Sequence, residues 1–354
     1  MFFGVAGLGE STSFFGQASR SAAIWTIVLI LAALLSLAWY VSYFGPAAFL
    51  QQLLNGLQRG SIYALIALGF TMVYGVVKLI NFAHGDIFMF GAYVACFAGA
   101  TLLGSGHWVA FVGALAIAMT LTALLGVVIE RIAYRPLRER PRFSALTTAM
   151  GVSLFLENFF ALPPNAVPFP LNHIVFGPNY ISFPPLIVVE YFSLGPIYVT
   201  TMHILDFALA IVLMVLLHLF IKRTITGKAM RAVAFSRDGA KLMGINVDRT
   251  IATTFAVGSA LGAASGLMYG MTYGVLASPY FGIFPGLQAF IAAVLGGIGS
   301  IPGAVLGGFL MGISETFATS VNSNLGYMTS FIILIVVLLF RPSGLIGKLQ
   351  REKV

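Results

Sequence analysis

The sequence predicts an all-α protein, a polytopic transmembrane helical bundle of about 8–10 helices. Three observations carry this expectation. First, 59% of the 354 residues are hydrophobic and 8% charged, against roughly 25% charged in an average soluble domain, and the mean hydropathy is +0.97. Such a chain cannot hide its apolar surface in one water-surrounded core, whereas a bilayer accepts it. Second, the apolar residues come in runs close to the roughly 20 that a spanning helix needs. Third, sixteen of the nineteen Lys and Arg fall in three clusters, over residues 131–142, 222–249 and 341–353, each after a long apolar run. That placement marks cytoplasmic loops by the positive-inside rule and argues against a nucleic-acid surface.

Taken in order, the apolar runs are residues 24–43, 53–77, 86–103, 108–129, 145–161, 204–221, 251–274, a pair within 284–317, and 325–340. Counting the pair as two gives ten crossings. The first run exceeds the ~7–15 residues of a signal-peptide core. It is therefore read as a retained helix in an N-terminal extension over residues 1–45. The main membrane domain follows over 46–347, with a cytoplasmic tail at 348–354. Two crossings separate the first basic cluster from the second and four separate the second from the third. Both numbers are even, so all three clusters share one side, and counting back places the N-terminus there too. The turn at residues 295–303, "LGGIGSIPG", is either a tight turn or a re-entrant loop.

Between residues 162 and 203 lies an external loop rich in Pro and aromatics. Proline opposes regular helix, so an irregular lid, docking surface or simple spacer is expected. After the second basic cluster, glycines recur at Gly258, Gly262, Gly266, Gly270 and Gly274. Spacing of four suggests one helix face on which a neighbouring backbone packs closely. Gly299, Gly303 and Gly307, with Gly308 and Gly312, extend the pattern. "LGFTMVYGV" (68–76) also resembles "GLMYGMTYGV" (266–275), a faint internal repeat of the kind found in transporters.

The signs of an enzyme do not appear. The five histidines are scattered, the single cysteine lies in an apolar run, and neither HExxH nor any metal-ligand spacing occurs, so no metal site is assigned. "TGKAM" and "IGKLQ" lack the glycine and hydroxyl residue of a phosphate-binding loop, so the chain carries no nucleotide site of its own. Acids at membrane depth are few: Asp86, Glu157, Asp206 and Glu315. The cytoplasmic segment 222–250 mixes charge with Ala, Met, Val and Phe and reads as one or two short amphipathic helices. They lie on lipid or dock into a soluble partner.

Four stretches resemble a known family. "GSIYALIALGFTMVYGVVKLINFAHGDIFMFGAYVA" (60–95), "ERIAYRPLR" (130–138), "LMGINVDRTIATTFAVGSALGAASG" (242–266) and "AAVLGGIGSIPGAVLGG" (292–308) are similar, in order, to the LivH-type permease of branched-chain amino acid ABC importers. The resemblance runs from about residue 51 to 347. It implies the ABC importer permease fold and a non-catalytic subunit without cofactors, in the cytoplasmic (inner) membrane of a bacterium or archaeon. The implied partners are a second, LivM-type permease, two cytoplasmic ATPases that use the ATP, and a periplasmic or lipid-anchored substrate-binding protein that delivers leucine, isoleucine or valine. It also makes 222–250 the segment that couples to the ATPase, with Arg231, Asp238 and Gly244 shaping the contact. Related permeases carry urea, short amides or other amino acids, and "NFAHGD" favours the amino-acid branch over the "NMAHGE" form. A standalone channel or ion-coupled carrier is the competing class.

"INFAHGDIF" (80–88) places Asn81, His84, Gly85 and Asp86 in an otherwise apolar region. In one reading Asn81 or Asp86 caps the next helix and His84 satisfies backbone groups freed by Gly85. In the other, a broken helix lines the translocation path and its amide groups meet a substrate carboxylate.

Overall fold

The computed structural model describes residues 35–138, 140–168, 177–276 and 279–347. The first half of the 24–43 run, Arg20, His173 and the tail 348–354 lie outside them. Residues 35–44 are helical (α1). Gly45, at φ +87°, breaks the chain before α2 (Pro46–Val77), whose proline occupies the first turn, where no backbone N–H is needed. At 32 residues α2 is about 48 Å long. It is apolar on every side over most of its length, and a helix of that kind belongs in the middle of a bundle.

α3 (His84–Leu102) and α4 (His107–Ile129) follow, the latter continuing into a π turn over Glu130–Tyr134. α5 (Arg142–Ala161) and α6 (Thr201–Arg223) flank the external segment. Two short cytoplasmic helices, α7 (Ile225–Phe235) and α8 (Arg237–Leu242), lead into α9 (Val247–Tyr273). The chain closes with α10 (Ile283–Gly296), α11 (Ile301–Val321) and α12 (Ser323–Phe340). Among the described residues, eight helices are long and apolar enough to cross a membrane. α2 and α9 form the buried centre, α2 against α11, α10 and α6, and α9 against α3 and α4. α4, α5, α6 and α12 turn large apolar side chains outward, such as Leu124, Phe155, Val212 and Ile335.

Among the described residues, the runs from 53–77 onward follow in the expected order, with one change of detail. α10 has 14 residues, about 21 Å, too short to span alone. Its last turn sits on the cytoplasmic side, where Leu345 and Ile346 donate to the Leu295 and Gly296 carbonyls at 2.8 and 3.0 Å. Its first turn packs on Gly85. The 295–303 stretch is a tight turn, closed by Ser300 N–H to Gly297 C=O at 3.0 Å. The re-entrant backbone lies elsewhere.

Two expectations are corrected. The external loop is not wholly irregular: β2 (Tyr191–Leu194) and β3 (Ile197–Thr200) form an antiparallel hairpin, and β1 (Ile181–Ser182) pairs with β4 (Val275–Leu276) at the end of α9. "YFSLGPIYVT" combines aromatic and β-branched residues around a Gly-Pro turn, a hairpin signal masked by the prolines nearby. The five glycines of α9 also do not share one face. A step of four residues turns 400°, so the stripe drifts about 40° per step. Gly258 meets Gly69 of α2, Gly266 meets the Phe88–Ala92 backbone of α3, and Gly270 meets Phe183 of the external segment. Gly274 packs on nothing and is instead the left-handed C-cap, at φ +69°.

Candidate functional site

The polar motif begins where α2 ends. Lys78 adopts a left-handed conformation at φ 60°, and its N–H closes the helix on Tyr74 C=O at 2.8 Å. Arg237 of α8 donates to the adjacent Val77 carbonyl at 2.6 Å, which ties this end of α2 to the α7–α8 segment. The chain then turns back. The His84 ring lies against Gly69 and against Phe70, 4.7 Å between centroids. Gly69 is eight residues up α2 from Val77, about 12 Å. Residues 78–83 thus re-enter the bilayer, and α3 starts inside it rather than at its surface.

α10 starts at the same level. A side-chain carbon at Gly85 would come within 2.7 Å of the Gly282 carbonyl, and one at Gly286 within 2.7 Å of the Gly85 Cα. Two half-helices therefore meet N-terminus to N-terminus. Each end exposes backbone N–H groups that its own helix cannot satisfy and carries partial positive charge. Neither has a side-chain cap, and Asp86 is the only acid in either first turn.

The capping reading of the motif fails on this geometry. The Asn81 side chain accepts from Tyr134 Oη at 2.7 Å instead of capping, and Asp86 Oδ2 accepts from Ser153 Oγ of α5 at 2.5 Å. The ring nitrogens of His84 make no hydrogen bond of normal geometry, with the Ile66 backbone at longer reach. Gly85 and Asp86 border a cavity of about 380 Å³ with Phe70, Ser153, Glu157 and Phe290. Asn81 and His84 do not line it. The four sequence-selected residues thus separate, two facing the cavity and two holding the break in place.

On the cytoplasmic face, Thr224, Ser236 and Asn246 cap α7, α8 and α9 through side-chain oxygens. Gly244, at φ +76°, makes the turn between α8 and α9. Arg231 donates to the Ile221 carbonyl, pinning α7 to the end of α6. Asp238 stands exposed in the first turn of α8. The basic clusters do more than set topology. Arg135 and Arg138 both bond Asp248 at 2.5 Å, and Arg138 also pairs with buried Glu130. Burial and the nearby Arg138 guanidinium push Arg237 below the ordinary arginine value. From this braced platform project Phe235, Leu242 and Met243, which are 94%, 89% and 82% exposed. The sequence reading had given the segment an apolar face without naming these residues.

A third polar group gathers two of the acids expected at membrane depth, Asp206 and Glu315, around partners the sequence did not single out. Arg59 of α2 pairs with Glu315 of α11 at 3.3 Å. The Tyr63 hydroxyl lies 2.7 Å from Glu315 Oε2 and 2.5 Å from Gln288 Oε1 of α10. Beside them Gln58 and Thr272 both donate to Asp206 of α6 at 2.7 Å. The available signal was Arg59 itself, one of the few cations outside the basic clusters and set in an apolar helix.

The family model of the branched-chain amino acid transport system permease component matches residues 52–340. The chain is 41% identical over 314 residues to the high-affinity branched-chain amino acid transport system permease protein LivH of Escherichia coli K12, covering 86% of this chain and 98% of that one. It is 43% identical over 316 residues to BraD of Pseudomonas aeruginosa, described in the same terms, with the same coverage. A probable branched-chain amino acid transport permease LivH of Methanocaldococcus jannaschii is 29% identical over 299 residues, 81% of this chain and 89% of that one.

Proposed function

The chain belongs to the family of branched-chain amino acid transport permease components, and we propose that it forms part of the path of an ATP-driven importer for leucine, isoleucine or valine. It is a multi-pass membrane protein, and the family supports the cytoplasmic (inner) membrane of a bacterium or archaeon as its location. In this reading it binds no cofactor. Two cytoplasmic ATPases hydrolyse ATP, a second LivM-type permease completes the path, and an external binding protein delivers the solute.

One observation carries the coupled mechanism: Phe235, Leu242 and Met243 stand in water on short helices tied by Arg237 to the end of α2. Isolated apolar side chains at such exposure gain about 1.5–3 kcal/mol each when a partner buries them, and a soluble ATPase with an apolar groove fits. Arg231 and Gly244 set the pitch of this knob, and Asp238 offers a charge beside it. A push there reaches α2, the re-entrant 78–83 segment and then the Gly85–Gly286 contact. Asp86 and the paired half-helix ends fit a gate or path element, where backbone N–H groups meet a carboxylate. The exposed aromatic residues Tyr180, Tyr191, Phe192 and Tyr198 of the external segment fit a docking surface for the binding protein.

The test is reconstitution with the partner subunits and ATP-dependent uptake of labelled leucine against urea. Uptake of leucine only in the full assembly with ATP supports the reading. Transport by this chain alone would revive the channel or ion-coupled carrier, and selective uptake of urea would move it to the related branch.

A further inference from the structure

A second cavity of about 310 Å³ opens among the external ends of α2, α9 and α11. Its size falls at the lower end of the roughly 300–1,000 Å³ usual for small-molecule sites. Its walls are polar, including Asn55, Gln58, Arg59, Thr272 and Thr316. Directly behind them lie Asp206, held by Gln58 and Thr272, and Glu315 and Gln288, reached through Arg59 and Tyr63.

The hydrogen bonding of this wall is incomplete in a patterned way. Asp206 is fully buried, has no cationic partner among the described residues, and has one carboxylate oxygen, Oδ1, unbonded. On the α11 wall the Thr316 hydroxyl, on a residue 6% exposed, is unbonded. Arg59 pairs with Glu315 through Nη1 and also engages Tyr273, which leaves part of its five-donor fork for another acceptor. Asp206 thus lacks a cation, while Arg59 and Thr316 keep donors beyond the Glu315 pair. A neutral solute such as urea leaves Asp206 without a cation, and a simple cation leaves the Arg59 and Thr316 donors unused.

We infer that this cavity is an outer subsite for the charged head of an amino acid, with Asp206 behind its wall taking the α-ammonium and Arg59 and Thr316 the α-carboxylate. The inference rests on the amino-acid permease reading and adds where and by which groups the solute is held. The aliphatic side chain plays no part in this subsite, so selection among side chains lies with other surfaces.

Two measurements on the complete complex in proteoliposomes test it. Asp206→Asn and Thr316→Val keep shape while removing the ammonium acceptor and one carboxylate donor. Leucine uptake should fall at least about tenfold and about threefold respectively, with subunit assembly retained. Should either variant impair assembly, the second measurement decides. The sequence has one cysteine, Cys96, and it is buried, so Gln52→Cys at the cavity places one accessible thiol there. Leucine should slow its labelling several-fold. Leucinamide, which lacks the carboxylate, and 4-methylpentanoate, which lacks the ammonium, should protect poorly. Unchanged uptake in assembled variants, or equal protection by all three compounds, would overturn the subsite. If the wild-type complex takes up no amino acid, the permease reading itself fails; if it does and the variants match it, only the subsite fails.

Discussion

Replacing Leu242 and Met243 together with serine should uncouple the chain from its ATPase without unfolding it. The two side chains are 89% and 82% exposed, so they add little to the packing of the chain itself. Exposed substitutions of this kind shift stability by about 0.5 kcal/mol or less. The turn they occupy is held by backbone instead: Met243 N–H bonds Gly239 C=O at 3.1 Å and Ile245 N–H bonds Ala240 C=O at 3.0 Å. On docking, each side chain would release about 1.5–3 kcal/mol through burial. Association recovers only part of such a sum, but centrally buried anchors commonly cost about 2 kcal/mol or more when truncated. A loss of about 2 kcal/mol weakens association roughly 30-fold. The assay is retention of the ATPase on affinity-purified membrane subunits over a dilution series, with solute-stimulated ATP hydrolysis measured in parallel. The double variant should retain a normal thermal melt in detergent, lose the ATPase at concentrations where the wild type holds it, and show no stimulated hydrolysis. Retention and stimulation at wild-type levels would refute the assignment of this knob.

The remaining predictions concern the membrane domain. Gly266→Val places its first side-chain carbon 2.7 Å from the Ala92 nitrogen and the Phe88 carbonyl. Backbone cannot step aside, so at least about 1–3 kcal/mol is lost and the melting temperature in detergent should fall, whereas Gly274→Ala, strained only by its φ of +69°, should cost about 1–2 kcal/mol. Arg138→Ala leaves Glu130, 1% exposed, without its cation, and a loss of about 3–5 kcal/mol is expected, read as poor recovery of folded protein. Tyr134→Phe strips the only hydrogen bond that the Asn81 side chain makes among the described residues and should cost about 1–3 kcal/mol in a thermal melt. Asp86→Asn should assemble normally and lower leucine uptake about tenfold, about 1.4 kcal/mol, because Asp86 faces a cavity while Asn81 and His84 do not.

What the sequence revealed follows from which interactions are local. Apolar run length and basic clusters depend on single segments facing one solvent, so the spans and their order were legible. The Gly-Pro hairpin of 191–200 was local too, but proline-rich surroundings masked it. The polar cluster of Arg59, Asp206, Gln288 and Glu315 draws on α2, α6, α10 and α11, and no periodicity within one helix reports a contact across 256 positions. The role of Asn81 was misread for the same reason. Its residue type and place before α3 suit a cap, but Tyr134, 53 positions away, takes its oxygen. Gly274 shows the reverse error, in which a spacing of four continued past the end of the helix that gave it meaning.

The faint likeness of residues 68–76 to 266–275 acquires a physical sense from the placement of these helices. Each stretch lies at the end of a long central helix, α2 or α9, and each is followed by a non-helical segment and a helix that starts inside the bilayer. α2 ends on the cytoplasmic side and α3 climbs away from the break; α9 ends on the external side and α10 descends from it. α2 packs along α11 while α9 packs along α4, and α10 lies on α2 as α3 lies on α9. These pairings are those of two halves with inverted topology. Such a relation places both broken segments at one level near the middle of the membrane, where glycine at 85, 282 and 286 lets the half-helix ends touch backbone to backbone. A contact so short has no side chain to compress, so a small slide of either half separates it. α2 connects that contact to the Arg237 brace at one end and to the Arg59 wall at the other. One rigid helix thus joins the cytoplasmic knob, the break and the outer cavity, and tilting it would move all three together.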